Sequence, residues 1–363
     1  MYAAFVGMPK EEMDTPALLL DLDKLEANIA RMSAFFADRP AKLRPHTKTH
    51  KCPIIAHKQI AAGAIGVTSA KLDEAEAMAQ AGIRDILIAN QIVGRRKIER
   101  LMGLAGWTEV MIAVDDARNV ADLSTAATSR GVSLRVLVEV DVGMGRCGVE
   151  PGEPAVALAR EVASSPGLIF EGLMGYEGHA VMRPTFEERR EKAEAAMALL
   201  VGAKERVEAA GLEVRIVSGG GTGTYNVTGA YPGVTEVQAG SYATMDVRYR
   251  DCGVGFECAL TCLATVISTP RPGVAITDAG MKALTPEFGM PEVVGQEGIT
   301  VKKLSEEHGA LELTDGVSLC PGDKIELIPS HGCTTINLHD QFYALRHGVV
   351  EAIWPIAARG GFR

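Results

Sequence analysis

The sequence has no surplus of basic residues. Its 37 lysines and arginines against 46 aspartates and glutamates leave a net charge of −9, which disfavours nucleic acid and anionic membranes as partners, since both favour basic faces. It has no apolar run near the ~20 residues that span a bilayer, and the opening MYAAFVGMPKEEMD lacks the basic-then-apolar order of a secretion signal. A cytoplasmic location is the expectation. The seven cysteines, Cys52, Cys147, Cys252, Cys258, Cys262, Cys320 and Cys333, are odd in number and form no CxxC pair, so neither a disulfide framework nor a zinc ribbon is expected. Low-complexity segments are missing too. What is present is globular: 363 residues, 47% hydrophobic and 23% charged, more than one ordinary core holds, so either a large barrel with an appendage or two domains is expected.

Short apolar or β-branched runs alternate with helical stretches from Lys42 onward. Eight strands are expected, at 42–48, 65–70, 85–90, 109–115, 135–141, 170–176, 214–219 and 236–242. Between them lie helical segments such as KLDEAEAMAQAG, ARNVADLSTAATSRG and TFEERREKAEAAMALLVGAKERVEAAG, several closed by glycine. That alternation points to a (β/α)8 barrel. The strand ends then carry Lys48, Ser69, Asn90, Asp115, Asp141 with Arg146, Tyr176 with His179, Ser218 with three glycines, and Ser241 with Tyr242. In a barrel these ends share one mouth, where active sites of such folds lie; polar residues that merely start loops would account for part of the set. After Cys258 the pattern turns to alternating segments without helices, which reads as an antiparallel β-domain. The expected division is a barrel over 24–257 and a β-domain made of 1–23, including the strand ALLLDLD, with 258–363.

Four segments carry chemistry. In RPHTKTHK, residues 44–51, strand register puts His46, Lys48 and His50 on one face and Thr47, Thr49 and Lys51 on the other. A lysine turned into a barrel mouth loses solvation of its ammonium, so its pKa falls and the amine can form a Schiff base; a solvated lysine on a basic strand end is the plain alternative. SGGGTGT, residues 218–224, offers backbone amides to a phosphate, although it fits neither GxGxxG nor GxxxxGKS/T. Its meaning sharpens beside AGSYATMD, residues 239–246, because phosphate sites in these barrels are built by the loops after strands 7 and 8. EVDVGMGRCG, residues 139–148, presents Arg146, which either pairs with Asp141 or Glu139 or offers its fork of donors to a phenolate oxygen. In SHGCTTINLHD, residues 330–340, His331 and Cys333 share a face if the segment is a strand, and imidazole with thiolate suits Zn²⁺ or a similar ion. A satisfied histidine beside a buried cysteine is the other reading, and His339 and Asp340 are either further ligands or solvent-facing.

Together RPHTKTHKCP, VLVEVDVGMGRCGV, SGGGTGT, EVQAGSYATMD and IPSHGCTTINLHD resemble the D-threonine aldolase and D-serine dehydratase family, in order and from DTPALLLDLD to WPIAARG. That family is similar in fold to alanine racemase, a pyridoxal-phosphate barrel followed by a β-domain, usually assembled as a homodimer. The resemblance implies that Lys48 bears pyridoxal 5'-phosphate and that Arg146 contacts its ring oxygen. It implies that Gly219, Gly220, Gly221 and Thr222, with Gly240, Ser241 and the adjoining Tyr242, lie at its phosphate, and that Tyr176 sits near its ring. Gln238 stands where alanine racemase has an arginine against the pyridine nitrogen, which would leave that nitrogen poorly protonated. His331 and Cys333 match the family's pair for a divalent metal, zinc or manganese. Aldolases carry His-x-Asp there and dehydratases His-x-Cys, while HKCP, VGMGRCGV and INLHD look more like the aldolases. In GYEGHAVM, residues 175–182, the aldolase branch has histidines where this chain has Glu177 and Met182, and His179 would substitute as base.

The activity so implied is cleavage of D-threonine-like D-β-hydroxy-α-amino acids to glycine and an aldehyde. The alternative is dehydration of D-serine or D-3-hydroxyaspartate to a 2-keto acid and ammonia, with Lys48 removing the α-proton. A non-catalytic cofactor-binding barrel would lack the segment 258–363, and a racemase needs no metal.

Overall fold

The computed structural model describes residues 5–363; residues 1–4, the start of the segment expected in the β-domain, lie outside the described residues. β1 (Ala17–Asp21) and α1 (Leu22–Phe36) come first. Strand and helix then alternate: β2 (Lys42–Leu43), α2 (Pro53–Ala61), β3 (Val67–Ser69), α3 (Leu72–Gln80), β4 (Asp85–Ile88), α4 (Arg95–Ala105), β5 (Glu109–Val114) and α5 (Ala117–Arg130). The series continues with β6 (Leu134–Glu139), α6 (Glu153–Ser164), β7 (Leu168–Met174), α7 (Phe186–Ala209), β8 (Ile216–Gly219), α8 (Tyr225–Thr228), β9 (Glu236–Val237) and α9 (Val247–Asp251).

Strands β2 to β9 form one parallel sheet in the order β2-β9-β8-β7-β6-β5-β4-β3. Its two ends are joined where Thr68 N–H donates to the Pro45 carbonyl at 2.8 Å and Thr47 N–H to the Thr68 carbonyl at 2.7 Å. The (β/α)8 barrel expected from the alternation is the fold. Central strands such as VMIAV of β5 are buried at every residue, as parallel strands covered by helices are. Leu87, Met111, Ala113, Leu137, Met174 and Ile216 pack together across β4 to β8. Local signals fix the helices: Asp116 caps α5 by accepting from the Arg118 and Asn119 amides, and Gly131 ends it at φ 65°. Thr185 caps α7 by accepting from the Glu188 amide, and each such cap is worth roughly 1 kcal/mol.

The N-terminal ends of the barrel strands are ionic. Arg44, 2% exposed, reaches Glu236 at 2.9 Å and Asp85 at 2.7 Å. Glu171 accepts from Arg135 and Arg215, each at 2.9 Å.

The remaining strands are β10 (Leu260–Arg271), β11 (Val274–Thr277), β12 (Glu292–Val293), β13 (Ile299–Leu304), β14 (Gly309–Leu313), β15 (Lys324–Ile328), β16 (Gln341–Arg346) and β17 (Val349–Pro355), with α10 (Gly332–Ile336) between β15 and β16. They form a separate sheet in the order β13-β14-β11-β10-β1-β16-β17, with β15 pairing β10 and β12. The N-terminal strand β1 pairs with β10 and β16 in this sheet. Pairing is antiparallel except between β1 and β16, two strands far apart in the chain and free of the hairpin constraint that imposes antiparallel order. Val266, Ala275, Val301, Leu311, Ile325 and Leu327 belong to its core.

Two compact units result: one holds the chain up to Ala30, Thr49–Cys52 and Ser241–Arg359, the other Arg31–Lys48, Pro53–Gly240 and Gly360–Arg363. Among the described residues no helix is long and apolar enough to cross a membrane.

Candidate functional site

The strand expected over 42–48 ends early, and residues 47–50 form a turn. Past the single bridge of His46 to Thr68, His46 Nδ1 accepts from the Lys48 amide at 3.4 Å and His50 Nδ1 from the Cys52 amide at 3.1 Å, so both histidine side chains bond the local backbone of the turn. The strand-face grouping of His46, Lys48 and His50 is therefore corrected. Lys48 is half-buried, and its Nζ lies 5.6 Å from the centre of the Tyr176 ring. The Arg146 guanidinium also lies 5.6 Å from that centre. One aromatic ring thus has an amine and a guanidinium within cation–π range.

Of the two partners open to Arg146, the geometry selects Glu139, 3.8 Å away. Glu139 is buried and also accepts from Gln91; burial pushes its carboxyl up, with Asp115 and Asp141 adding to the effect and Gln91 and Arg146 opposing it. Asp141 instead serves the backbone, accepting from the amides of Gly143 and Met144 at 2.9 Å and of Gly145 at 3.0 Å. These bonds outweigh burial and hold its pKa below the usual carboxylate range. His179 is half-buried, and its Nδ1 has no hydrogen-bond partner among the described residues. It packs so near the same turn that a Cβ on Gly143 would lie 3.4 Å from its Cε1.

The segment after β8 runs against the segment after β7. A Cβ on Gly221 would come within 3.4 Å of the Tyr176 ring, and one on Gly223 within 1.7 Å of the Val181 carbonyl oxygen. Gly220 has φ 81°. A Cβ on Gly219 would lie 2.5 Å from the Gly175 carbonyl oxygen, so backbone contact at Gly219, conformation at Gly220 and tight packing at Gly221 disfavour side chains along the run before Thr222. Glu177, fully buried, accepts from the Gly220 amide at 3.0 Å, Thr224 Oγ1 at 2.7 Å and Thr228 Oγ1 at 2.5 Å. Gln238 donates through Nε2 to Ser218 Oγ at 2.9 Å, and Gly240 is buried two residues on.

In the other unit, His331 and Cys333 do not lie on a strand. His331 is the N-cap of α10 and Cys333 is in its first turn, because Asp246 Oδ2 takes the Gly332 amide at 2.9 Å and starts the helix there. Asp246 is itself buried, which raises its pKa. His331 and Cys333 still meet: burial opposes the charged imidazole, but hydrogen bonds with Cys333 and Glu287 carry its pKa up to about 9. Glu287 Oε2 lies 2.6 Å from His331 Nδ1, and the Phe288 ring lies 4.6 Å from the imidazole, centre to centre. The Cys333 thiol donates to Thr49 Oγ1 at 3.4 Å and lies 3.9 Å from Ser241 Oγ. The expected strand over 236–242 likewise stops at Val237, and Ser241–Ala243 is a 3-10 turn. Tyr242 is fully buried and packs on Phe256. His339 bonds the Ala283 carbonyl at 2.8 Å and Asp340 pairs with Arg359 at 2.6 Å, so neither joins His331. Among the described residues no cluster of three or more His, Cys, Asp or Glu is arranged to hold a metal.

Glu287 and Gln91 were not singled out in the sequence; neither has a spacing relation to the residue it serves. Asp246 closes AGSYATMD, and an aspartate three residues before Tyr249, whose amide it caps, is the kind of signal that could have marked it.

Comparisons agree with this architecture. The alanine racemase N-terminal domain matches residues 20–247 and a serine dehydratase domain matches residues 259–345. A 3-hydroxy-D-aspartate aldolase of Paracoccus denitrificans is 41% identical over 370 residues, covering 98% of this chain and 95% of its own. A D-threonine aldolase of Arthrobacter is 41% identical over 359 residues, again covering 98% and 95%. The crystal structure of D-threonine aldolase from Filomicrobium marinum superposes with a TM-score of 0.96 at 41% identity over 99% of both chains. D-threo-3-hydroxyaspartate dehydratase from Delftia superposes at 0.88 with 30% identity, over 96% of this chain and 98% of that one, and a cysteine-to-alanine variant of that dehydratase is known in a metal-free form. The chain therefore belongs to the family of D-threonine aldolases and D-serine dehydratases, in which an alanine racemase-type N-terminal domain is followed by a serine dehydratase domain.

Proposed function

We propose that this chain is a pyridoxal-phosphate-dependent lyase that cleaves D-threonine-like D-β-hydroxy-α-amino acids into glycine and an aldehyde. The observation that carries the reading is the grouping about Tyr176, with the Lys48 amine and the Arg146 guanidinium each 5.6 Å from its ring centre and Gly221 against the same ring. These residues fit the cofactor: an amine for its aldehyde carbon, a guanidinium for its phenolate, and beside them the run Gly219 to Gly221, whose backbone a phosphate can approach closely. Pyridoxal phosphate, when bound, supplies an electron sink for the charge left at Cα as a bond to that carbon breaks.

The chain's own groups bind, orient and move protons. Lys48 would hold the cofactor through its amine. Arg146, kept in place by Glu139, would orient the ring, and Gln238, fixed by Ser218, would offer a neutral amide to the ring nitrogen. His179, whose Nδ1 has no hydrogen-bond partner among the described residues, takes the β-hydroxyl proton as the Cα–Cβ bond breaks. His331 and Cys333 would hold a divalent metal, zinc or manganese, and the remaining positions would be open to a substrate oxygen, whose pKa such an ion lowers. The Glu287 bond to Nδ1 supports Nε2 as the ligating nitrogen, the usual carboxylate–histidine arrangement. A homodimer in the cytoplasm belongs to the same reading.

The two aldolases at 41% identity over almost the whole chain favour aldol cleavage. One observation favours a second reading, dehydration to a 2-keto acid and ammonia: the pair ends in Cys333, the residue of the dehydratase pattern. A Lys48→Ala variant tests the core of the reading. The wild-type chain with pyridoxal phosphate should give a borohydride-reducible absorbance and release glycine from D-threonine, and the variant should lose both. A reducible adduct persisting in Lys48→Ala would remove Lys48 from the site.

A further inference from the structure

We propose that Glu177 is a positioning residue for the glycine loop: its buried carboxylate sets residues 219–224 in the shape that receives the cofactor's phosphate before the cofactor arrives. The inference rests on the reading of that loop as the phosphate site. Glu177 is fully buried, and its three bonds come from the Gly220 amide, Thr224 Oγ1 and Thr228 Oγ1. One donor is loop backbone, one is the hydroxyl that ends the loop, and one lies in α8. Among the described residues no cation pairs with this carboxylate. A buried anion without a counter-ion is costly unless its lone pairs are filled, and here every donor belongs to the loop or to the helix that follows it.

The charge is of the wrong sign for a phosphate site. A carboxylate next to a phosphate repels it, and the repulsion is stronger where water is excluded. Glu177 therefore cannot serve the phosphate by attraction; what it supplies is shape. Its own segment is held beside the strand that leads into the loop: the Gly175 amide donates to the Ser218 carbonyl of β8 at 3.0 Å, and the Ala180 amide donates to the Glu177 carbonyl at 2.9 Å and closes the turn. That turn brings the Val181 carbonyl against Gly223, where no side chain fits. With Glu177 removed, a buried amide and two hydroxyls lose their acceptor, and the loop must find another conformation to satisfy them.

The full chain, freed of cofactor, should be titrated with pyridoxal phosphate and separately with pyridoxal, reading the absorbance of the Lys48 adduct. Glu177→Ala should weaken pyridoxal phosphate about tenfold or more while pyridoxal changes by less than about twofold, because the loss falls on the phosphate arm. Glu177→Gln, which keeps an oxygen for the Gly220 amide and an amide for the hydroxyls, should recover most of the difference. Thr228→Val removes one donor outside the loop and should give a smaller loss in the same direction; it carries the test if Glu177→Ala does not fold. Parallel losses for both ligands, or unchanged pyridoxal phosphate affinity in both Glu177→Ala and Thr228→Val, would overturn the proposal. A wild-type chain that binds the two ligands equally would instead overturn the phosphate-site reading beneath it.

Discussion

Asp141 shows how a single carboxylate can shape a site without touching a ligand. By accepting three successive amides, from Gly143, Met144 and Gly145, it folds the turn that carries Arg146. Its folded pKa lies below the unfolded value of about 3.9. The stabilisation is therefore complete above about pH 4 and is lost as pH falls through the folded value, where the unfolded chain binds the extra proton. Asp141→Ala should cost on the order of 1–3 kcal/mol and flatten the acid side of a melting-temperature profile between pH 3 and 7. An unchanged profile would show that the turn holds without the carboxylate. The sequence singled out Lys48, Arg146 and Tyr176, and the amine and guanidinium both lie near the Tyr176 ring. Their immediate partners were less legible. Spacing left Asp141 and Glu139 equally open to Arg146, and nothing in PHTKTHK says that its histidines bond their own backbone.

At the scale of elements, hydrophobic periodicity located all the barrel strands, because parallel strands covered on both faces are short, nearly continuous apolar runs bounded by helices. It misplaced their ends. A polar residue beyond the last ladder bond looks the same in one dimension whether it extends the strand, as in the expected 236–242, or opens a turn, as Ser241 does. Segment 330–340 failed for a related reason: the helix at Gly332 is started by Asp246, a residue far away in the chain. The ionic end of the barrel gives this scale its prediction. Arg44 and Glu236 are both buried, and Glu236→Leu leaves the buried guanidinium with only the partly exposed Asp85 to pair with. Glu236→Leu should lower stability by about 1–3 kcal/mol, while the double variant Arg44→Met with Glu236→Leu should recover much of that loss. Urea unfolding of the single and double variants decides it; a double variant less stable than the single one would mean that the ion pair is worth more than its desolvation.

For the whole molecule, the family was legible because five motifs occur in one order along a chain, and a core or a loop constrains no such set by accident. The choice between cleavage and elimination was not, because the two proposed reactions call on the same residues and differ in which substrate bond is aligned to break. The pair His331 and Cys333 matches the dehydratase pattern through Cys333, and sequence identity pulls towards the aldolases. Product analysis separates them most directly. The wild-type chain should be incubated with pyridoxal phosphate, Mn²⁺ or Zn²⁺, and D-threonine, with L-threonine and a chelator in parallel, and glycine with acetaldehyde measured against 2-oxobutyrate. The account predicts glycine and acetaldehyde from D-threonine, neither from L-threonine, and loss of turnover with chelator while the Lys48 absorbance persists; 2-oxobutyrate as the main product, or equal turnover of L-threonine, would contradict it.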